Sequence, residues 1–438
     1  MEWYYVLGVL LSTLLFFMIL GLPVVFAFFA ANIVGAMLFM GGEKGIAQLV
    51  RNAIDATQNF SLLPIPLFIF MGEIMFHTGV AARAIDAVDK LIARIPGRLS
   101  LVAITGGTLF SSLSGSTIAN TAMLGSTLLP EMYKRGYKPE ISIGPIVAVG
   151  GIAMLIPPSA LAVLLGSVAR IPIGDLLLAS ILPALILTFL FYLYVTIRCW
   201  ANPDIAPIYD IGEMTWWERI KPFLIYVLPL MSIFVVVVGS IVAGIATPTE
   251  SAALGTIASL AVAAGYRSLR WSNFVASVRE TVRFSVMTLF IICGSITFSQ
   301  ILAFSEASAG LSLVILNSDL APLLILLGML AVLMMLGCFM DQVSMMMITM
   351  PLYMPVIEQM GYNVVWFGVL TLLVMEISLA TPPFGLLLFV AKGAAPAGTT
   401  MREVIISVLP FVLLALLVVA LLIAAPQLTL ILPELMNS

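Results

Sequence analysis

The stretch Leu155-Ile156-Pro157-Pro158-Ser159 interrupts a long apolar segment, and Ala380-Thr381-Pro382-Pro383-Phe384 interrupts a second one in the same register. A Pro-Pro pair removes two backbone donors and forces the preceding residue out of the helical region, so each helix must open near its middle. The two stretches differ by a constant 225 in residue number, which we call the repeat offset. It also relates Pro130 to Pro355, Gly136 to Gly361, and Tyr137 to Tyr362. These matches in one register predict two structural repeats.

The composition places the chain in a lipid bilayer. Hydrophobic residues make up 62% of the sequence and charged residues 9%, whereas an average soluble domain has roughly 45–50% and 25%. The net charge of -3 is small, and the basic residues lie between apolar segments, which argues against nucleic acid as a partner. Cys199, Cys293 and Cys338 have no close spacing, so neither a disulfide framework nor a zinc site is predicted. Because Met1 is followed by no basic region, we expect no cleaved signal peptide.

Apolar segments long enough to cross about 30 Å of hydrocarbon, roughly 20 residues of helix each, recur along the chain. The candidate spans are 4–21, 23–41, 61–79, 139–170, 175–198, 222–245, 248–266, 284–303, 363–395 and 403–425. Two other apolar regions, 98–134 and 319–360, carry a polar or glycine-rich break and are predicted to enter and leave the membrane on one side. The predicted fold is an all-α integral membrane protein with about ten transmembrane helices and two re-entrant helical hairpins.

The distribution of basic residues predicts the orientation. If both termini face outside, only Lys44, Arg51 and Arg170 of the 19 Lys and Arg residues lie outside, as the positive-inside rule requires. The first hairpin then opens from the cytoplasm. The second opens from outside, since Glu306, Asp319 and Glu358 flank it without a basic residue. We therefore expect repeats of inverted topology.

Polar connectors separate the apolar segments. Residues 42–60 and 267–283 mix polar and apolar residues with helical period before a span in each repeat, which predicts amphipathic helices at the membrane interface. Residues 80–97 form either a similar interfacial arm or a solvated loop helix. The stretch 199–221 contains two prolines and is predicted to be a cytoplasmic linker between the repeats, and 426–438 to be a C-terminal tail.

The tip of the first hairpin, residues 111–120, is rich in serine around Gly115. A glycine allows a tight reversal, and the half-helix that follows would point its N-terminus toward the middle of the membrane, where its dipole favours an anion. Hydroxyl, amide and carbonyl oxygens are also the ligands that a small alkali cation needs. The alternative is that Ser and Gly serve only close helix packing.

The equivalent tip in the second repeat reads Gly337-Cys338-Phe339-Met340-Asp341-Gln342-Val343-Ser344, and it places Asp341 in register with Ser116. An ionisable residue in an apolar hairpin is costly to insert, so a functional role is the leading hypothesis. A structural role as the cap of its half-helix is the alternative, and the two roles are compatible.

Other polar residues carry weaker signals. Glu376 either lines a cavity or pairs within the protein core, whereas Glu73, Glu250 and Glu280 are predicted to form structural pairs, and His77 to lie at the interface.

The sequence contains no catalytic constellation and no nucleotide-binding loop, so neither an enzyme nor direct use of ATP is predicted. Coupling to an ion gradient is the energy source that remains.

The chain resembles the large membrane subunit, of the DctM or SiaM type, of tripartite ATP-independent periplasmic (TRAP) transporters. The resemblance covers essentially the whole sequence and rests on several linked motifs. These are Pro66-Leu67-Phe68-Ile69 with Gly72, Ser114-Gly115-Ser116 followed by Gly125, Pro130 and Gly136-Tyr137, Ile156-Pro157-Pro158-Ser159, Ala246-Thr247-Pro248-Thr249-Glu250, Met340-Asp341, and Thr381-Pro382-Pro383.

This resemblance implies sodium-coupled import of an organic acid, such as a C4-dicarboxylate or sialic acid, by an elevator mechanism in the bacterial inner membrane, with both termini periplasmic. The implied partners are a separate small four-helix membrane subunit (DctQ or SiaQ type) and a periplasmic substrate-binding protein (DctP or SiaP type). Sodium ions would be the coupling ions, and no organic cofactor is implied.

The resemblance also implies a division into moving and static parts. The implied segments are 1–79 (scaffold helices of repeat 1), 80–97 (interfacial arm), 98–198 (first half of the transport domain), 199–221 (linker), 222–304 (scaffold helices and interfacial arm of repeat 2), 305–425 (second half of the transport domain) and 426–438 (tail).

Substrate and ions would be held between the hairpin tips and the helix breaks. The implied substrate-binding residues are Ser112, Ser116, Thr117, Ser159, Asp341, Gln342, Ser344 and Thr381. The implied first sodium site comprises Ser114, Gly115, Ser116, Asn120, Gly151 and Pro157, and the second comprises Gly337, Met340, Asp341, Thr381 and Pro382. A stand-alone sodium/carboxylate symporter of the same inverted-hairpin architecture is the alternative function.

Overall fold

The protein is all-helical in its computed structural model, which describes residues 2–92, 95–207 and 215–437, and the side chains of all of these except 112–114 and 437. No β-strand occurs in these ranges. The α-helices are α1 (Trp3–Ile19), α2 (Val24–Phe39), α3 (Glu43–Thr57), α4 (Pro64–His77), α5 (Val80–Leu91), α6 (Arg98–Ser114), α7 (Thr117–Lys134), α8 (Pro139–Gly150), α9 (Ala160–Ala169), α10 (Ile173–Ala201), α11 (Trp216–Pro222), α12 (Leu228–Val242), α13 (Pro248–Gly265), α14 (Trp271–Phe304), α15 (Ala307–Leu316), α16 (Pro322–Gly337), α17 (Gln342–Gln359), α18 (Val364–Leu379), α19 (Leu386–Ala394), α20 (Met401–Ala424) and α21 (Gln427–Asn437).

The repeat offset extends to the secondary structure of the whole chain. Helices α7 and α17 begin and end at positions that differ by this offset. With shifts of a few residues at the ends, the same offset relates α1 to α12, α2 to α13, α5 to α15, α6 to α16, α8 to α18, α9 to α19 and α10 to α20. The repeat that the sequence marks at a few positions is therefore a repeat of the complete helical arrangement.

One pair of elements departs from this correspondence. In the first repeat, α3 ends at Thr57 and α4 starts at Pro64, with a 3₁₀ turn between them at Phe60–Leu62. In the second repeat, the matching residues form the single 34-residue helix α14. The amphipathic stretch predicted at 267–283 is thus the first part of α14 rather than a separate helix. The reason is local, because α14 contains no proline, whereas Pro64 and Pro66 begin α4.

The repeats pack on each other reciprocally. Each of the following contacts between a helix of one repeat and a helix of the other has a counterpart at the repeat-related positions. The matched contacts are α4–α13 with α2–α14, α8–α20 with α10–α18, and α7–α19 with α9–α17. Buried polar side chains also join the repeats: the Asn32 amide donates to the Gly294 carbonyl at 2.6 Å, and the Asn52 amide to Gln300 at 2.7 Å. We call α1–α4 with α12–α14 the frame group, and α6–α10 with α16–α20 the broken-helix group.

Five helices of the described ranges are long and apolar enough to cross a membrane, and several shorter apolar helices of 10–17 residues accompany them. Both segments with a proline pair are divided: residues 151–159 separate α8 from α9, and 380–385 separate α18 from α19. The stretch predicted as a C-terminal tail forms α21, which packs against α10. The prediction of about ten spans with two re-entrant hairpins remains a prediction.

Candidate functional site

The two hairpin tips share one local design at positions related by the repeat offset. Gly115 turns the chain after α6 with a φ of 56°, a left-handed conformation that favours glycine. The Ser116 hydroxyl then accepts from the Ala119 amide at 3.3 Å and caps α7. In the second repeat, the Asp341 carboxylate accepts from the Ser344 amide at 3.1 Å and caps α17, and it also accepts from the Ser344 hydroxyl. The structural role considered for Asp341 is therefore present.

The first tip lies against the first helix break. A Cβ added to Gly115 would stand 3.5 Å from the Ala160 nitrogen and 3.9 Å from the Pro158 carbonyl oxygen. Beyond the cis Pro157–Pro158 bond, the Ser159 hydroxyl accepts from the Ala162 amide at 3.2 Å and caps α9. Predicted residues of the first sodium site and of the break are thus neighbours.

The second tip lies against the second break in the same way. A Cβ on Gly337 would overlap the Ser378 side chain, so α16 and α18 touch through a glycine. The Cys338 sulfur lies 3.7 Å from the Thr381 carbonyl oxygen and 3.5 Å from that of Pro382, whose bond to Pro383 is also cis. Thr381 and Pro382 are more exposed than the first break, where Pro157 and Ser159 are buried.

The buried Asn120 side chain near the first tip is only partly satisfied by hydrogen bonds. The Asn120 amide donates to the Ser111 hydroxyl at 2.5 Å, to the Gly107 carbonyl at 3.2 Å and to the Val149 carbonyl at 3.4 Å. Its Oδ1 atom is buried and makes no hydrogen bond to any described residue. An unpaired carbonyl-type oxygen is a hard ligand of the kind that a sodium ion prefers, so Asn120 fits the role predicted for it. The side chains of Ser112 and Ser114 lie outside the described residues.

Glu376 joins the two repeats at the centre of the broken-helix group. It lies on α18 and is 1% exposed, and its Oε1 atom accepts from the Thr117 hydroxyl at 2.7 Å and from the Met154 amide at 2.9 Å. From the second tip, the Gln342 amide reaches the Met154 sulfur at 3.0 Å. The carboxylate thus ties the start of α7 to the unwound residues after α8, which is the pairing within the protein core that the sequence offered as one of two alternatives.

A cavity of about 510 Å³, which we call the central cavity, opens where the two tips face the frame group. Ser116, Thr117, Asp341 and Gln342 line one wall, with apolar contacts from neighbouring residues of α7, α9 and α17. Of the other predicted substrate residues, Ser159, Ser344 and Thr381 are not among the lining residues, and the first two are fully buried. A second cavity of about 500 Å³, between Trp3 and α15, contains no predicted site residue among those described.

The opposite wall of the central cavity carries charges that the sequence did not assign to a site. Helix α4 contributes Glu73, and α14 contributes Glu280 and Arg283. Arg283 and Glu280 are 3.9 Å apart, beyond hydrogen-bond distance, with 81% and 44% of their side-chain surfaces exposed. Glu73 lies 3.2 Å from His77. The charged spacing on α14 is visible in the sequence, but nothing local distinguishes it from an ordinary solvated helix face.

Comparison with known proteins identifies the family of the chain. The family model described as "Tripartite ATP-independent periplasmic transporter, DctM component" matches residues 11–428. The chain is 29% identical to the ectoine TRAP transporter large permease protein TeaC of Halomonas elongata, over 98% of this chain and 99% of the relative. It is also 29% identical to the C4-dicarboxylate TRAP transporter large permease protein DctM of Pseudomonas aeruginosa, over 91% and 92%.

A solved transporter shares the fold at low sequence identity. The YdaH transporter of Alcanivorax borkumensis superposes with a TM-score of 0.62 at 13% identity, covering 88% of this chain and 89% of that one. This likeness concerns the fold alone, whereas the family model spans nearly the whole chain. The protein is therefore a multi-pass membrane permease, not an enzyme, and belongs to the DctM component family of tripartite ATP-independent periplasmic transporters.

Proposed function

We propose that the protein imports an organic acid with sodium ions, and that the solute is held in the central cavity between the two hairpin tips and the frame group. The observation that carries this proposal is the lining of that cavity. It brings together Ser116 and Asp341, two residues in equivalent repeat positions that cap equivalent half-helices, on the wall that faces α4 and α14. A single chamber at the meeting point of two broken repeats is typical of secondary transporters.

The chemistry of the wall suits an anion with accompanying cations. The N-terminus of α7 presents backbone amides and the positive end of a helix dipole, which favour a carboxylate. Unwound backbone at the two breaks supplies carbonyl oxygens, the ligands that discontinuous membrane helices use for sodium. The first ion would lie at Gly115, Asn120 and the Pro157 break, and the second at Gly337, Asp341 and the Pro382 break.

Transport would occur by movement of the broken-helix group against the frame group, as in an elevator. The position of the central cavity supports this proposal, because its walls come from both groups and relative movement would carry the solute across the frame. The reciprocal packing of the repeats supports it further. Two repeats with the same order of helices can exchange conformations, and this exchange would open the cavity first to one side of the membrane and then to the other.

The relatives are large permease proteins of TRAP transporters, and this supports two partners for the chain. A soluble periplasmic binding protein would deliver the solute, and a small membrane subunit would brace the frame group. Ectoine and C4-dicarboxylates, named for the two relatives, define the range of solutes to be tested. The inner membrane, with both termini on the periplasmic side, is the proposed location.

Omission of components in proteoliposomes tests this function. Vesicles that contain both membrane subunits should accumulate a labelled solute when the cognate binding protein is outside and sodium is supplied. Omission of the binding protein or of the small subunit should abolish uptake. Uptake by this chain alone, at the rate of the complete system, would contradict the tripartite function and favour a stand-alone symporter.

A further inference from the structure

The charges of the central cavity define the class of solute, on the condition that the proposed transport function holds. We infer that Arg283 and Glu280 on α14 form a recognition pair for a zwitterionic solute, with Arg283 binding its carboxylate and Glu280 its cationic group. No other guanidinium or ammonium group is among the described residues that line this cavity. The assignment goes beyond transport of an organic acid, because it separates neutral zwitterions from dianions such as C4-dicarboxylates.

The geometry of the pair suits exchange of partners. Arg283 and Glu280 stand one helical turn apart, and 3.9 Å separates their nearest charged atoms. An ion pair this long and this exposed adds little stability, so a ligand with good geometry can replace it. A solute that presents a carboxylate and a cation side by side satisfies both groups at once, and a guanidinium can bind the carboxylate in a bidentate manner.

The rest of the cavity opposes a second negative charge. Glu73 stands on α4 and Asp341 occupies the N-terminus of α17, where its carboxylate already accepts the helix amide. With Glu280, these make three carboxylates against the single guanidinium of Arg283 among the described lining residues. One sodium ion at Asp341 leaves the wall without excess positive charge. A dianion would therefore bring its second carboxylate toward Glu73 or Glu280, and like charges close together repel each other.

The remaining lining favours a compact solute with a partly apolar body. Ile69, Phe284 and Met287 contribute the apolar surface of the frame wall, and Ile118, Leu161 and Val343 that of the other wall. The volume of about 510 Å³ lies within the usual range for small-molecule sites, roughly 300–1,000 Å³. Polar recognition is thus confined to the α14 pair, Glu73 and the hairpin tips.

Thermal denaturation of the purified permease complex with added solutes tests the inference without relying on uptake. The probes are zwitterions (ectoine, glycine betaine and proline) and dianions (succinate, fumarate and malate), at equal ionic strength with sodium present. A bound solute raises the melting temperature by mass action. We expect at least one zwitterion to stabilise the wild type, and Arg283→Gln to weaken its apparent affinity by about tenfold or more.

Exchange of specificity gives the sharper outcome. Glu280→Gln removes a negative charge while keeping the side-chain shape, so it should weaken the zwitterion and improve the response to dianions. Arg279→Gln on the same helix, outside the cavity lining, is the matched control and should leave both responses unchanged. The inference is overturned if dianions stabilise the wild type better than zwitterions, if no zwitterion stabilises it, or if Glu280→Gln changes neither response. Sodium-driven uptake of a dianion would leave the transport function standing and reject only the zwitterion.

Discussion

Asp341 combines a structural and a chemical role in one side chain. Its carboxylate closes the N-terminus of α17, as the Ser116 hydroxyl closes that of α7, and it also faces the central cavity. A serine would suffice for the cap alone, as the first repeat demonstrates. The negative charge is therefore the part of Asp341 that needs a functional explanation, and a coupling cation provides one.

Asp341→Asn separates these roles, because asparagine caps a helix about as well as aspartate. We expect the variant to fold normally and to need at least about tenfold more sodium for half-maximal uptake, a loss of about 1.4 kcal/mol. The sodium dependence of initial uptake rates measures this shift. Asp341→Ser is the matched comparison, since it reproduces the first repeat. Wild-type sodium dependence in both variants would remove Asp341 from the ion site.

The tip residues can be predicted from the sequence, whereas half of the cavity cannot. Prolines, glycines and a lone aspartate stand out in apolar segments, so local patterns are enough to identify Ser116 and Asp341. Glu280 and Arg283 lie on a helix face that looks ordinary in isolation. They become cavity residues only because α14 packs beside α4 and α17, and that contact depends on segments distant in sequence.

At the scale of helices, close approach at glycine holds each tip against its break. Gly337, the last residue of α16, touches the Ser378 side chain of α18, and Gly150 touches Thr121 of α7. The proline pairs predict both breaks. The sequence does not predict that α14 continues unbroken, since amphipathic and apolar periodicity change gradually along it and only the lack of a proline marks the continuity.

Gly337→Ala tests the contact between α16 and α18. The added methyl group would overlap Ser378, so we expect a loss of about 1–3 kcal/mol of stability and reduced uptake. Gly328→Ala on the same helix is the control. No described atom lies within 4 Å of its added Cβ, and we expect no loss of stability. Denaturation midpoints in detergent measure both variants. Equal midpoints would show that the close approach does not hold the tip.

At the scale of the molecule, the two groups of helices meet at the central cavity. Ile118 belongs to the broken-helix group and Met287 to the frame group, and both line that cavity with exposed side chains. If the groups move past each other during transport, this pair must separate. The native Cys199, Cys293 and Cys338 are buried, so introduced cysteines can be labelled selectively.

Cross-linking Ile118→Cys to Met287→Cys with a short bis-maleimide should therefore stop transport. Each single-cysteine variant, treated with the same reagent, is the control, because it measures the loss of uptake that the label alone causes in the cavity, and the cross-linked double variant should lose more. The cross-linked fraction is read from peptide mass spectrometry, and uptake is measured on the same vesicles. Transport that continues at the control rate in a fully cross-linked sample would exclude relative movement of the two groups.

The central claim is that a sodium gradient drives transport, and one measurement addresses it directly. Proteoliposomes with both membrane subunits and the cognate binding protein receive an inward sodium gradient as the sole energy source, and accumulation of solute above its external concentration is followed. The account predicts concentrative uptake that collapses when a sodium ionophore dissipates the gradient. Undiminished accumulation without a sodium gradient, driven by a proton gradient alone, would contradict it.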